Sequence, residues 1–172
     1  GHRMVSFRGD KAMLYKANLC CRTALRILKP FCTFRADDAD TLYDRVKLFD
    51  WGSLLSLDKT FAIDAVVYSD TFTHSRFVTY RVKDAIADWF RDHCDGKRPG
   101  VRLDGADVLI NVHISGDEVT LSLDSSGESL HRRGYRVAQT EAPINEVLAA
   151  GIILMSGYRG QKVFLDPMCG SG

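Results

Sequence analysis

The sequence predicts a mixed α/β (α+β) fold, on three observations. In Phe61–Val67, Val108–Ile114 and Val119–Leu123 an apolar residue stands at every second position, the two-residue period of half-buried strands. In Arg76–Cys94, Val78, Val82, Ala85, Ile86, Trp89 and Phe90 recur at helical spacing. Strand and helix patterns intermix along the chain, which argues against a pure bundle or a pure sandwich.

Taken in order, Met4–Arg8 reads as a short strand closed by Gly9 and Asp10. Asp10 is a helix-capping residue, and a helix is expected to about Thr23. Leu25, Ile27 and Leu28 open an extended segment through Pro30 to Phe34. Ala39–Phe49 reads as a short helix ended near Gly52. Ser69–Ser75 is a polar loop before the long helix, which Asp95-Gly96 and Pro99-Gly100 end. Ser115-Gly116-Asp117 is a hairpin signal between the last two strands. Pro143 is expected to open a further helix at its first-turn position. Glu141 and Glu146 lie near its positive end, and Gly157 suits its C-terminal cap. Its expected buried stripe is Ile144, Val147, Leu148, Ile152 and Met155. Lys162–Leu165 reads as a short apolar strand.

Composition narrows the function classes. With 172 residues, 45% apolar and 26% charged, the chain is expected to build an ordinary globular core. The net charge is only +1, yet it is unevenly spread. Residues 1–35 hold eight basic side chains and one acid, a charge of +7, and the remainder carries −6. A basic N-terminal segment followed by Asp37, Asp38, Asp40 and Asp44 suggests a subdomain boundary near 36–58. No apolar run approaches the ~20 residues that span a bilayer, and no signal-peptide pattern is visible. Five cysteines, an odd number without CxxC, fit reduced thiols in the cytoplasm. A zinc site is not expected from their spacing.

The last residues carry the clearest chemistry. Val163-Phe164-Leu165-Asp166 runs into Pro167-Met168-Cys169-Gly170-Ser171-Gly172. A glycine-rich turn at the carboxyl end of a strand lets backbone approach a nucleotide-like ligand. It is neither a P-loop nor a full GxGxxG. As bare spacing, an ordinary turn with no ligand fits as well.

The wording says more than the spacing. Asp166–Gly172 resembles the S-adenosylmethionine-binding motif of methyltransferases that modify exocyclic amino groups of bases. Ser125–Arg136, with its Leu130-His131-Arg132-Arg133-Gly134-Tyr135-Arg136, resembles the junction after a THUMP RNA-binding domain. Glu141–Ala150 resembles the helix before the cofactor strand. Val82-Lys83-Asp84-Ala85-Ile86 and Phe7-Arg8-Gly9-Asp10 also fit. Together, in order along nearly the whole chain, these resemble the THUMP-containing ribosomal RNA guanine-N2 methyltransferases of bacteria.

The resemblance implies three parts. Residues 1–50 would be a partial ferredoxin-like subdomain and 51–130 a THUMP domain. Residues 131–172 would be linker, first helix, first strand and glycine loop of a truncated Rossmann-like methyltransferase domain. It implies a parent enzyme that methylates guanine N2 of large-subunit ribosomal RNA. The acidic ribose-binding residue and the Asn/Asp-Pro-Pro-aromatic base-gripping motif of the family are absent here. The piece itself is therefore expected to be inactive, and no catalytic residue is assigned in it. A non-catalytic RNA-binding module and part of an adenine-specific DNA methyltransferase remain as alternatives.

By the same resemblance, S-adenosylmethionine would face Thr140, Ala142, Pro143, Ile144, Asp166, Pro167, Cys169, Gly170 and Gly172. Methyl transfer from a sulfonium needs alignment and exclusion of water more than acid–base help. On spacing alone Pro143 fits a helix start equally well, and Cys169 a small packing residue.

Structured RNA is the expected partner. The basic segment 1–35 is one candidate surface, and it is also a solvated face by the same reading. Arg76, Tyr80 and Lys83 form a second. At about 100° per residue they cluster opposite the apolar stripe of the long helix, and the helix start suits a phosphate. The third comprises Lys97, Arg98 and Arg102 with His131, Arg132, Arg133 and Arg136, where Tyr135 offers a stacking ring. Ion pairing of Arg132 and Arg133 with Glu128, Glu141 or Glu146 is the alternative. Trp51 and Trp89 read as core, His113 as surface and His93 as a helix-end residue.

Overall fold

The computed structural model describes residues 4–134 and 144–167. They fall into two units: Leu28–Gly127, which is continuous, and Gly1–Ile27 together with Glu128–Gly172.

In the continuous unit, strands β1 (Leu28–Arg35), β2 (Thr60–Tyr68), β3 (Gly100–Val101), β4 (Val108–Ser115) and β5 (Glu118–Asp124) form one sheet in the order β1-β5-β4-β2-β3. The Ser115-Gly116-Asp117 turn does what its sequence promised. Gly116 sits at φ +64°, where a glycine costs nothing, and β4 pairs antiparallel with β5 from Ser115↔Glu118 to Ile110↔Leu123. β2 runs parallel to β4, with Ala65 opposite Val112. A parallel pair needs a long crossover, and helix α3 (Ser75–His93) lies on it.

Helix α2 (Ala39–Lys47) begins where Asp38 accepts the Thr41 N–H at 2.6 Å. That bond holds the Asp38 carboxyl below its ordinary range. α2 and α3 close the core with the sheet. Leu42 and Val46 of α2, Val78, Val82, Ala85, Ile86 and Phe90 of α3, and Ile110, Val112, Ile114, Val119 and Leu121 of the sheet are buried together. The helical and strand periods read from the sequence therefore point at one interior.

A 3₁₀ turn, Trp51–Ser53, follows α2. Trp51 is fully buried there and donates from Nε1 to the Val46 carbonyl at 2.8 Å, so its one polar atom is satisfied. Phe31 and Phe49 contact its ring edge-on at 6.0 and 5.0 Å between centroids. The two helices are also tied by polar contacts. Tyr43 donates to Asp88 at 2.7 Å, Arg81 donates to the Ala39 carbonyl at 3.1 Å, and Lys47 pairs with Asp92 at 2.7 Å.

The discontinuous unit contains helix α1 (Lys11–Cys20), capped by Asp10 through the Met13 N–H at 2.8 Å, and helix α4 (Glu146–Met155). Residues 25 and 130 meet between them, with the Leu130 N–H on the Leu25 carbonyl at 2.8 Å.

Several expectations are corrected here. Met4–Arg8 and Lys162–Leu165 form no strand. Alternation describes a face, but a strand exists only with a neighbour to take its N–H and C=O groups. Val5 and Val163 are both more than 90% exposed. α4 does not start at Pro143, which lies outside the described residues. Asn145 is the cap and accepts the N–H groups of Val147 and Leu148, so a side chain able to satisfy orphan donors sets the start. Gly157 sits just past the helix at φ +75°, as expected of a C-terminal glycine. The apolar stripe of α4 is not buried: Ile144, Leu148, Ile152 and Met155 are all exposed. β3 was not expected, since two residues carry no period. Trp51 is core as predicted, and Trp89 packs half-buried against it.

Among the described residues no helix is long and apolar enough to cross a membrane. Cys20, Cys21, Cys32 and Cys94 are free thiols, and burial pushes the Cys32 thiol up.

Candidate functional site

α3 carries the best-formed of the predicted clusters. Its core residues face inward, so Arg76, Tyr80 and Lys83 are left on the solvent side. Arg76 Nε donates to the Tyr80 hydroxyl at 3.1 Å, and its guanidinium lies 5.6 Å from the centre of the Tyr80 ring. Lys83 Nζ lies 5.7 Å from the same ring and 2.8 Å from Asp84. One half-exposed phenol ring thus has two cations within 6 Å of its centre, close enough for cation–π attraction. Phe77, also half exposed, is a turn away on the same helix. His74 precedes the helix and makes no side-chain cap bond, and the first turn holds no acid. The N–H groups of that turn are therefore not blocked by a carboxylate, which leaves a positive helix end beside Arg76.

The third predicted group is divided. Lys97 and Arg98 are exposed in the loop after α3 and belong to the continuous unit. His131, Arg132 and Arg133 belong to the discontinuous one. His131 Nδ1 lies 2.8 Å from the Ser129 hydroxyl. Arg132 is exposed. Arg133 is half-buried and its guanidinium donates to the carbonyls of Leu130, Asn18 and Cys21. Arg136 lies outside the described residues.

In the basic N-terminal segment, Arg8, Lys11, Lys16 and Arg22 are exposed. Lys11 Nζ stands 5.8 Å from the centre of the Tyr15 ring, a second cation–aromatic pair. Neither Tyr15 nor Phe77 was singled out in the sequence. Each is an aromatic residue off the apolar stripe of its helix, and that was the available signal.

Of the predicted cofactor residues, Thr140, Ala142, Pro143, Cys169, Gly170 and Gly172 lie outside the described residues. Ile144, Asp166 and Pro167 are all exposed. These three do not wall a cavity that S-adenosylmethionine would fill, so no step of a transfer reaction is derived from them. An apolar depression in the same unit is lined by Thr23, Leu25 and the Val147, Leu148, Gly151 and Ile152 face of α4. It contains none of the predicted cofactor residues. Among the described residues no group of three His, Cys, Asp or Glu could hold a metal ion.

The fold and its charged surface define an α+β module with cation–aromatic clusters on its helices. The THUMP-domain profile matches residues 36–124, the ribosomal methyltransferase L ferredoxin-like profile 1–28, and the RMKL-like methyltransferase-domain profile 133–172. The chain belongs to the THUMP-domain family, in the arrangement with these ferredoxin-like and methyltransferase segments on either side.

It is 44% identical over 172 residues to the ribosomal RNA large subunit methyltransferase K/L of Syntrophotalea carbinolica, an alignment covering 97% of this chain and 24% of that protein. It thus spans about a quarter of that relative's length. A solved structure from Listeria monocytogenes, described as a predicted N6-adenine-specific DNA methylase, matches with TM-score 0.75 and 32% identity over 94% of this chain and 42% of that one. SMU.472, solved complexed with SAH, matches with TM-score 0.75 and 30% identity over 94% of this chain and 43% of that one.

Proposed function

We propose that this chain is the RNA-binding part of an S-adenosylmethionine-dependent methyltransferase acting on large-subunit ribosomal RNA, with guanine N2 as the acceptor. The observation that carries the RNA reading is the Arg76–Tyr80–Lys83 cluster, with Arg76 and Tyr80 exposed and Lys83 half-buried, beside an uncapped helix start. A partly exposed tyrosine with two cations within 6 Å of its ring suits an unpaired base, with stacking on the ring and phosphates on the charges. The THUMP match and the name of the K/L relative support RNA as the partner. The SAH in SMU.472 supports the cofactor. A cytoplasmic site of action follows from such a partner. In this reading the chain positions RNA and does not itself transfer a methyl group.

Binding to a fluorescein-labelled RNA hairpin with a single-stranded tail, against duplex DNA of equal phosphate number, tests the partner. Binding to the RNA about tenfold tighter is expected. Equal affinity, or preference for DNA, refutes the RNA reading and favours the DNA-methylase alternative. Methyl incorporation from labelled S-adenosylmethionine into ribosomal RNA by the same chain is expected to be nil. Label in the RNA overturns the inactive-piece reading.

A further inference from the structure

Arg133 does something that its place in a basic cluster does not explain. Its planar guanidinium donates Nε–H to the Leu130 carbonyl at 2.9 Å, Nη1–H to the Asn18 carbonyl at 3.0 Å and Nη2–H to the Cys21 carbonyl. Two of these acceptors lie at the C-terminal end of α1, where carbonyls have no partner within the helix. α1 has no basic residue in its last turn, and its cap residue Cys21 already turns away with extended backbone. Arg133 therefore supplies from 112 residues away the positive charge and donors that the end of α1 lacks.

The same residue also faces α4. Its backbone N–H lies 3.3 Å from Glu146 Oε2, and Glu146 is the first residue of that helix. One residue thus touches the end of α1, the turn at Leu130 and the start of α4. In family terms, the first residue of the methyltransferase match grips the last helical turn of the ferredoxin-like match.

We infer that Arg133 is a positioning residue, a latch that ties the start of the methyltransferase segment to the end of α1, and not an RNA contact. Three of its five N–H donors are spent on backbone carbonyls in a half-buried site, so turning the guanidinium outward to a phosphate would strip those carbonyls of their donor, which is costly. Arg132, next to it and exposed, carries no such duty. Lysine does not replace arginine here, because an ammonium donates from one point and cannot reach three carbonyls arranged around a planar fork. The inference holds whether or not the chain binds RNA.

Hydrogen–deuterium exchange on Arg133→Lys and Arg133→Ala, with Arg132→Ala as control, tests it. Both Arg133 variants are expected to speed exchange about tenfold at the Leu19–Cys21 amides and, together with them, at Ala149 in the first turns of α4, the order expected when a charge-assisted bond is lost. The β4 amides should keep their protection. A simple cap of α1 would leave Ala149 unmoved, so exchange confined to α1 overturns the latch. So does unchanged exchange at both places, and so does loss of β4 protection in Arg133→Lys, which would make the residue a global fold determinant. The salt dependence of binding to the RNA hairpin supplies an independent arm. A slope unchanged in Arg133→Ala and shallower in Arg132→Ala agrees with the assignment, and a slope shallower by about 0.7 or more in Arg133→Ala overturns it.

Discussion

Replacing Arg76 and Lys83 together by glutamine removes two charges from the face of α3 and keeps its length and helix-forming side chains. Both residues are on the solvent side, so the cost to folding should stay within about 0.5 kcal/mol. The effect on RNA binding follows from counterion release. Each phosphate neutralised contributes about 0.7 to the logarithmic salt slope for single strands and about 0.9 for duplexes. Two lost contacts make the slope shallower by about 1.4 to 1.8. Between 50 and 200 mM salt, a fourfold change, the affinity advantage of the native chain should shrink by about sevenfold to twelvefold. Lys83 shares its charge with Asp84 at 2.8 Å, which makes its contact the weaker of the two and sets a floor near threefold, the value for one phosphate. Fluorescence anisotropy of the labelled RNA hairpin at four salt concentrations measures this directly. An affinity ratio constant across the series would mean that neither cation meets a phosphate, and the α3 surface would be lost as the interface.

Three further outcomes follow from the same geometry. Tyr80→Ala should weaken binding to the single-stranded tail by about 1–3 kcal/mol through lost stacking, while Tyr80→Phe, which loses only the hydroxyl held by Arg76, should stay close to native in the same titration. Trp51→Ala should lower unfolding free energy by about 3–5 kcal/mol in urea, because a fully buried ring packed against Phe31 and Phe49 leaves a cavity. Tyr43→Phe should cost about 1 kcal/mol at pH 7 by removing the bond to Asp88. That bond is the main reason the Asp88 carboxyl titrates below its ordinary 3.8. A lowered folded-state value adds stability that is complete above the unfolded value and vanishes as pH falls through the folded one. The gap between native and Tyr43→Phe urea midpoints should therefore be constant from pH 7 to 5 and close below 3.8. A gap that persists at pH 2 would refute the assignment.

The readable part of the fold was the part whose residues face one interior. The runs at 61–67, 108–114 and 119–123 became β2, β4 and β5 because each buries one side against α2 and α3. The hairpin was legible because Gly116 has to take a positive φ. What failed depended on partners that a period cannot name. Residues 4–8 and 162–165 have strand composition and no ladder. β3 has a ladder and no composition, since Gly100 and Val101 are strand only by lying beside Thr60 and Phe61. The α4 stripe was a correct period with the wrong inference of burial.

The site divides in the same manner. Arg76, Tyr80 and Lys83 came together because one helix period joins them. Lys97 and Arg98 share a composition class with His131–Arg133 and belong to a different unit. The contacts of Arg133 reach carbonyls 112 and 115 residues earlier, and backbone carbonyls have no letter in a sequence.

The interruption of one unit by the other sets a timetable for synthesis. Residues 28–127 form a cassette whose way in and way out, Leu28 and Asp124, are register partners on adjacent strands. It can finish its sheet while the rest of the chain is still being made. α1 cannot be completed so early. Its C-terminal carbonyls wait for Arg133, 112 residues downstream of Cys21, an interval of about 6 to 20 s at ordinary elongation rates. Over that time Met13, Tyr15 and Leu19 emerge from the ribosome on a helix with an open end. The cassette, by closing its own ends together, shortens the effective loop that must later be closed and brings the two halves of the waiting unit within reach of each other.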